Sequence, residues 1–258
     1  MTDISQIKKL RDLTGAGMMD CQKALTETND DMDKAVEALR KRGEKMAGKK
    51  ADRAANEGVI AIAGDDKKVA VMELNCETDF VARNEDFIAS ANEFVNKLLE
   101  VGAEEFKTWA EAKIKDELIV KIGENLKLGK TDIIEAEVIG YYLHSNKKVA
   151  TVVSLSKGSV DLAKEIAMHA TAMNPQYLRP EDVPAEILAK EKEIYREQLK
   201  SEDKPEDIME KILIGKVNKF YQEVCLIKQM YVKDDKVSIE KLLADGNASI
   251  EKFTRYAL

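Results

Sequence analysis

The sequence predicts an α+β protein in which a small helical module precedes a larger core with antiparallel sheets. Three observations predict this class. Apolar residues recur at helical spacing through the first forty residues, and the pattern changes to that of strands at Gly58. A second strand pair follows about eighty residues later, and helical periodicity returns in a long stretch after Pro184.

Residues 1–42 are predicted to form three short helices. The first ends at Gly15-Ala16-Gly17, and the second ends near Asn29-Asp30-Asp31. A unit of this size is marginally stable alone, so we interpret it as a docking module. Residues 43–57 are basic and alanine-rich, and they are predicted to form a partly helical linker.

Residues 58–133 are predicted to form the first half of the core. The pattern indicates a β-hairpin that turns at Gly64-Asp65-Asp66 and is followed by two helices. These strands and helices are expected at residues 59–63, 69–76, 85–101 and 105–123.

Residues 134–258 are predicted to form the second half of the core. The expected elements are strands at 134–143 and 149–155, a helix at 160–173, two helices within 184–222 separated by a polar break at 201–205, a short helix at 239–243 and a strand at 249–256. The two helices within 184–222 are interpreted as a protruding antiparallel coiled-coil hairpin. Lys67–Val71 resembles Lys147–Thr151, which suggests a duplicated hairpin-plus-helix unit.

Composition limits the classes of function. The 258 residues are 44% apolar and 34% charged, which supports a core beneath a heavily solvated surface. The net charge of −7 disfavours nucleic acid as a partner, because phosphates would repel the chain. No apolar run approaches the roughly 20 residues that cross a bilayer, and the first residues lack signal-peptide features. We therefore expect a cytoplasmic protein that does not enter membranes.

The sequence offers little for covalent chemistry. Its two histidines, His144 and His169, stand near no recognisable nucleophile motif, and the three cysteines form no metal or disulfide pattern. His169 is expected to be packed and hydrogen-bonded, whereas His144 adjoins a turn that a partner could reach. The segment Gly123–Thr131 is rejected as a phosphate loop, because five residues rather than four separate its glycines. No catalytic residue, cofactor or metal is predicted.

The segment Asn75–Asn84 leaves a strand and enters a helix, with Phe80 among polar residues. Its spacing alone favours an ordinary helix start in which the ring of Phe80 folds into the core. A loop aromatic beside an acidic residue can also insert into a partner, and the bare pattern leaves both alternatives open.

Two long stretches resemble the elongation factor Ts family. They are Lys9–Leu25 (KLRDLTGAGMMDCQKAL) and Glu73–Asn84 (ELNCETDFVARN), and Lys121–Asn125 and Ile166–His169 add weaker matches in the expected order. The resemblance covers essentially the whole chain. It implies a ubiquitin-associated-like (UBA-like) three-helix module, a duplicated α+β core and a protruding coiled coil. Some members carry a further C-terminal helix that touches their GTPase partner. This chain departs from them by stopping soon after Phe253–Tyr256, so we expect that contact to be absent here.

The resemblance also implies a partner and a mechanism. The partner would be elongation factor Tu, bound in its GDP and nucleotide-free forms, and the effect would be GDP release through disturbance of the Mg²⁺ and phosphate site. The implied docking residues are Arg11, Met18, Met19, Ile122 and His144. The implied exchange residues are Thr78, Asp79, Phe80 and Val81, with Phe80 as a wedge and Asp79 engaging polar groups around the metal.

A non-catalytic adaptor is the alternative prediction. In that role the three-helix module and the helical hairpin would recruit partners, and the hairpin could also self-associate. The adaptor gives no reason for the Thr78–Val81 sequence, and nucleotide-release kinetics distinguish the two functions.

Overall fold

The computed structural model describes residues 3–200 and 205–258 and shows an α+β fold with two compact units. The first unit runs to Ile134 and includes Ser145–Lys148 and Ala257–Leu258. The second comprises Glu135–His144 and Val149–Tyr256. Within the described ranges, no helix has the length and apolar character needed to cross a membrane.

The first unit begins with three helices, α1 (Ile4–Thr14), α2 (Met18–Glu27) and α3 (Met32–Lys50). Gly15 ends α1 in the left-handed conformation, with φ of 68°, which glycine adopts without a steric penalty. The three helices enclose a small apolar core, whose buried members are Ile7, Leu10, Ala16, Cys21, Ala24, Leu25, Ala35 and Leu39. Because α3 continues to Lys50, it includes residues 43–50 of the predicted linker.

A three-stranded sheet follows in the same unit. Its strands are β1 (Glu57–Gly64), β2 (Lys68–Cys76) and β3 (Lys127–Glu135), in the order β1-β2-β3, and β1 pairs antiparallel with β2. Between β2 and β3 lie α4 (Asp79–Ala82), α5 (Glu85–Lys113), a π-helical turn (Ile114–Leu118) and α6 (Ile119–Ile122).

Helix α5 packs against β1 and β2 and supplies much of this unit's core, including Phe87, Phe94 and Leu98. Non-helical Gly102, with φ of 81°, interrupts it. The predicted separation of two helices in this region is therefore confirmed.

The second unit contains a second three-stranded sheet. Its elements in chain order are β4 (Val138–Leu143), β5 (Val149–Lys157), α7 (Val160–Met173), a 3₁₀ turn (Pro180–Asp182), α8 (Ala185–Lys200), α9 (Glu206–Val224), a 3₁₀ turn (Leu226–Lys228), β6 (Met230–Tyr231), β7 (Asp234–Ser238), α10 (Ile239–Asp245) and β8 (Ser249–Ala257). The sheet order is β4-β5-β8, and β6 pairs with β7 separately. Helix α7 packs against β4 and β5, and α8 contacts α9.

The single strand predicted at 134–143 is wrong. Strand β3 ends at Glu135 and β4 begins at Val138, and the two strands belong to different sheets. The break between β3 and β4 was not predicted because the pairing partners of a strand decide where it ends, and local residue preferences do not reveal those partners. The helices predicted at 160–173 and 239–243 and the strand predicted at 249–256 are confirmed by α7, α10 and β8. The predicted polar break at 201–205 lies, apart from Pro205, outside the described residues.

His169 on α7 is fully buried, as expected of a structural histidine. The backbone N–H of Val232 donates to its Nδ1 at 3.2 Å, so Nε2 carries the proton and donates to Oε1 of Gln229 at 3.0 Å. Burial lowers the pKa of His169 from its usual 6.5, because the apolar surroundings disfavour the imidazolium.

We expect this buried histidine to make the protein less stable in mild acid. The unfolded chain binds the proton more readily than the folded one. The contribution of His169 to the free energy of unfolding is therefore fully present above pH 6.5 and is lost as the pH falls through the lower folded-state pKa. The measurement is urea unfolding at pH 7.5 and pH 5.5 for wild type and His169→Gln, followed by circular dichroism. The substitution should cost about 1–3 kcal/mol at pH 7.5, and less at pH 5.5. An equal cost at both values would contradict the assignment.

Candidate functional site

The candidate exchange residues lie on one short turn between β2 and α5. Thr78 caps the four-residue helix α4, its Oγ1 accepting from the N–H of Val81 at 3.4 Å. Asp79 pairs with Arg83 at 3.0 Å on the exposed side of the turn. Val81 is half-buried against the core of the first unit, and Ala82 is buried. The turn is therefore anchored by its last two residues.

Phe80 points away from the protein. It is 83% exposed, more than any other large apolar side chain in the described part of the chain. The interpretation in which its ring folds into the core is wrong. The reason is local, since Val81 and Ala82 occupy the core-facing side of a single helical turn, which leaves Phe80 on the opposite side.

Glu124, in the loop between α6 and β3, holds the start of this turn. One carboxylate oxygen accepts from the N–H groups of Glu77 and Thr78 at 2.9 and 3.0 Å, and the other accepts from Thr78 Oγ1 at 2.6 Å. Glu124 was not among the residues predicted from the sequence. Its only signal was its place in the weak family match Lys121–Asn125.

The side chain of Glu77 binds the same loop in turn, through Asn125. Its Oε1 accepts from the N–H of Asn125 at 2.6 Å, and the Arg53 guanidinium lies 3.4 Å from it. The Asn125 hydrogen bond, with help from Arg53, lowers the pKa of Glu77. Asn125 is itself buried and donates to the carbonyl of Arg53 at 2.8 Å. Three separate segments of the chain therefore meet at the base of the Phe80 turn.

Cys76 closes the base of the turn. Burial raises the pKa of its thiol to about 11, so the group stays protonated at neutral pH. The thiol donates to the carbonyl of Thr78 at 3.2 Å. Its role here is that of a small packed donor rather than a nucleophile.

The predicted docking residues of the three-helix module lie at the junction of α1 and α2. Met19 is 64% exposed and Met18 is 38% exposed, and both line an open groove of about 720 Å³ together with Ile4, Ile7 and Leu25. Arg11 is exposed in the last turn of α1 and does not line this groove.

The two predicted docking residues of the core lie in different units. Ile122 is half-buried in the first unit, where it packs against the core and directly precedes the loop that carries Glu124. His144 belongs to the second unit, is exposed after β4, and has its ring 6.4 Å from that of Tyr142. Its backbone N–H donates to the carbonyl of Val149 at 2.9 Å, which fixes the turn but leaves the ring at the surface.

Comparison with known proteins gives one consistent family. The family described as Elongation factor TS matches residues 77–258. Elongation factor Ts of Saccharophagus degradans is 44% identical, covering 98% of this chain and 89% of that protein. Elongation factor Ts of Francisella tularensis subsp. novicida is 41% identical, covering 99% and 92%, and that of Nitratiruptor sp. is 44% identical, covering 98% and 92%. This chain therefore belongs to the elongation factor Ts family of translation elongation factors.

Proposed function

We propose that this chain binds elongation factor Tu and promotes release of its GDP by disturbing the Mg²⁺ and phosphate site, so that GTP can rebind. The observation that carries the proposal is the 83% exposure of Phe80 on a turn held by hydrogen bonds at its base. Contact of an exposed aromatic ring with water is unfavourable, and a partner that covers the ring removes this contact. A ring held in one direction is also suited to insertion into a pocket.

The energetics of the proposal are those of linkage. If the factor binds the nucleotide-free GTPase more tightly than the GDP form, then GDP affinity falls by the same factor when it binds. A coupling of about 3 kcal/mol corresponds to a change of roughly a hundredfold. Disturbing Mg²⁺ is an economical route, because the ion bridges and neutralises the phosphate oxygens of the nucleotide.

Within the turn, the residues have different proposed roles. Phe80 is the wedge, and Asp79 engages polar groups that surround the partner's metal. In the free protein the Asp79 carboxylate is paired with Arg83, an exposed ion pair of the kind that contributes little stability and exchanges readily. Thr78 and Val81 keep the turn on the core by capping and packing.

We propose that other elements of the chain dock on the partner. Residues 1–42 would form a UBA-like module that docks through Arg11, Met18 and Met19, and flexible methionines suit an adaptable apolar contact. Helices α8 and α9 would form the coiled-coil hairpin. A partner that acts in translation would also mean that the protein works in the cytoplasm. Residues 43–57 would connect the docking module to core subdomains at 58–133 and 134–258.

The test is stopped-flow release of a fluorescent GDP analogue from elongation factor Tu, with and without this protein. We expect acceleration that grows with the concentration of this protein and then saturates. Unchanged release despite measurable binding would overturn the proposal and favour an adaptor.

We expect Met19→Ala to weaken docking more than it slows exchange. Met19 contributes exposed apolar surface that becomes buried in the proposed complex, so truncation should raise the half-saturating concentration by about three- to tenfold. The maximal rate of release should change little, because Met19 lies on α2 rather than on the Phe80 turn. A lower maximal rate with unchanged half-saturation would contradict this role.

A further inference from the structure

The direction of the Phe80 ring is determined by groups other than Phe80. At 83% exposure the ring has little packing of its own, so its position depends on the backbone of α4. A helix of four residues is too short to be stable by itself. Whatever fixes the ring must therefore act on the ends of this turn.

Glu124 holds the N-terminal end of the turn through two sets of hydrogen bonds, which share Thr78. Its carboxylate accepts from the N–H groups of Glu77 and Thr78, the residues that precede α4. It also accepts from the Thr78 hydroxyl, and the same hydroxyl oxygen accepts from the N–H of Val81 inside α4. The carboxylate is therefore linked to the backbone on both sides of Phe80.

The loop that carries Glu124 is itself fixed. Ile122 packs into the core just before it, and Leu126 is buried just after it. Lys50 at the end of α3 donates to the carbonyl of Gly123. Asn125 donates its backbone N–H to Glu77 and its side-chain amide to the carbonyl of Arg53. Because the loop is fixed on both sides, it can transmit that constraint to the turn.

We propose that Glu124 is a positioning residue for nucleotide exchange, which holds the Thr78–Val81 turn so that Phe80 projects in the direction required for insertion. This inference rests on the proposed function. Glu124 acts through Phe80, and its substitution has little effect once the ring has been removed.

The decisive experiment is a double-mutant cycle with Glu124→Ala and Phe80→Ala, read by stopped-flow GDP release from elongation factor Tu. We expect Glu124→Ala to lower the maximal rate by about tenfold in the wild-type background and by less than about twofold in the Phe80→Ala background. A general loss of structure would instead lower the rate equally in both backgrounds, and that outcome would overturn the proposal.

Met19→Ala provides the matched second background. Glu124→Ala and Met19→Ala should combine additively, because the two side chains lie on separate elements and act on different steps. Glu124→Gln keeps the size of the side chain and one acceptor oxygen, so its rate should fall between those of wild type and Glu124→Ala. A Glu124→Gln rate at or below that of Glu124→Ala would assign the effect to charge rather than to positioning.

A second measurement needs no partner and separates this inference from the proposed function. Amide hydrogen exchange at Glu77, Thr78 and Val81 should become faster in Glu124→Ala, while protection in β1 and β2 is retained. Unchanged protection at the three amides would overturn the positioning role whatever the kinetics. If wild type fails to accelerate GDP release while the amides respond as expected, the proposed function fails and the hydrogen-bonded link stands as a structural feature.

Discussion

Phe80→Ala is expected to remove most of the stimulated GDP release while leaving the protein folded. Truncation of a central aromatic residue in an interface typically costs about 2 kcal/mol or more, which corresponds to a factor of about thirty in rate if the contact forms mainly in the exchange step. Stability should change by less than about 0.5 kcal/mol, since the ring is 83% exposed and contributes little to the core.

The measurement is a concentration series of stopped-flow release for wild type, Phe80→Ala and Val232→Ala. Val232 is 47% exposed in the second unit and serves as the control for loss of an exposed apolar side chain. The maximal rate should fall only for Phe80→Ala, with its half-saturating concentration changed by a smaller factor. A wild-type maximal rate for Phe80→Ala would refute the wedge role and return the turn to the status of a helix start.

The outward direction of Phe80 shows where sequence reasoning reached its limit. The spacing favours a buried ring, because a segment that leaves a strand with Thr78 or Asp79 able to cap the next turn matches an ordinary helix start. The structure reverses this, since the two following residues already occupy the core-facing side of a one-turn helix. The bare pattern left an inserting ring open as the alternative, and the family resemblance, which depends on a long unusual motif rather than on periodicity, favours that exposed role.

Other elements divide in the same way. Helix α7 could be predicted to the residue because its apolar period and the Asn174-Pro175 stop are both local signals. The boundary between β3 and β4 could not, because it depends on which sheet each strand joins. Glu124 was missed for a related reason, as its three hydrogen bonds join residues 46 and 47 positions apart in the chain.

Helix α3 is packed tightly enough against the first unit for a single methyl group to matter. A Cβ added at Gly43 would lie 2.3 Å from the carbonyl oxygen of Lys115 and 2.8 Å from Cγ2 of Val120. The first contact is with backbone in the π-helical turn, so it cannot be relieved by rotating a side chain. Gly43→Ala is therefore expected to destabilise the protein by about 1–3 kcal/mol, despite the higher helix propensity of alanine.

Gly48→Ala is the matched control in the same helix. Nothing lies within 4 Å of a Cβ at that position, so alanine should stabilise the protein by about 0.5–1 kcal/mol. The single tryptophan, Trp109, lies in α5 with its ring 4.9 Å from that of Phe94. Its fluorescence during urea unfolding therefore reports on the first unit. Stabilisation of similar size by both substitutions would show that α3 does not pack closely there.

The same pair of variants tests how the three-helix module is joined to the Phe80 turn. Helix α3 starts in the three-helix module and ends at Lys50, which donates to the carbonyl of Gly123, next to Glu124. Displacing α3 at Gly43 should therefore disturb both the module and the loop that holds the turn. We expect Gly43→Ala to lower stimulated release at a temperature where it remains folded, whereas Gly48→Ala should not. If α3 behaved as a flexible linker instead, Gly43→Ala would leave release unchanged.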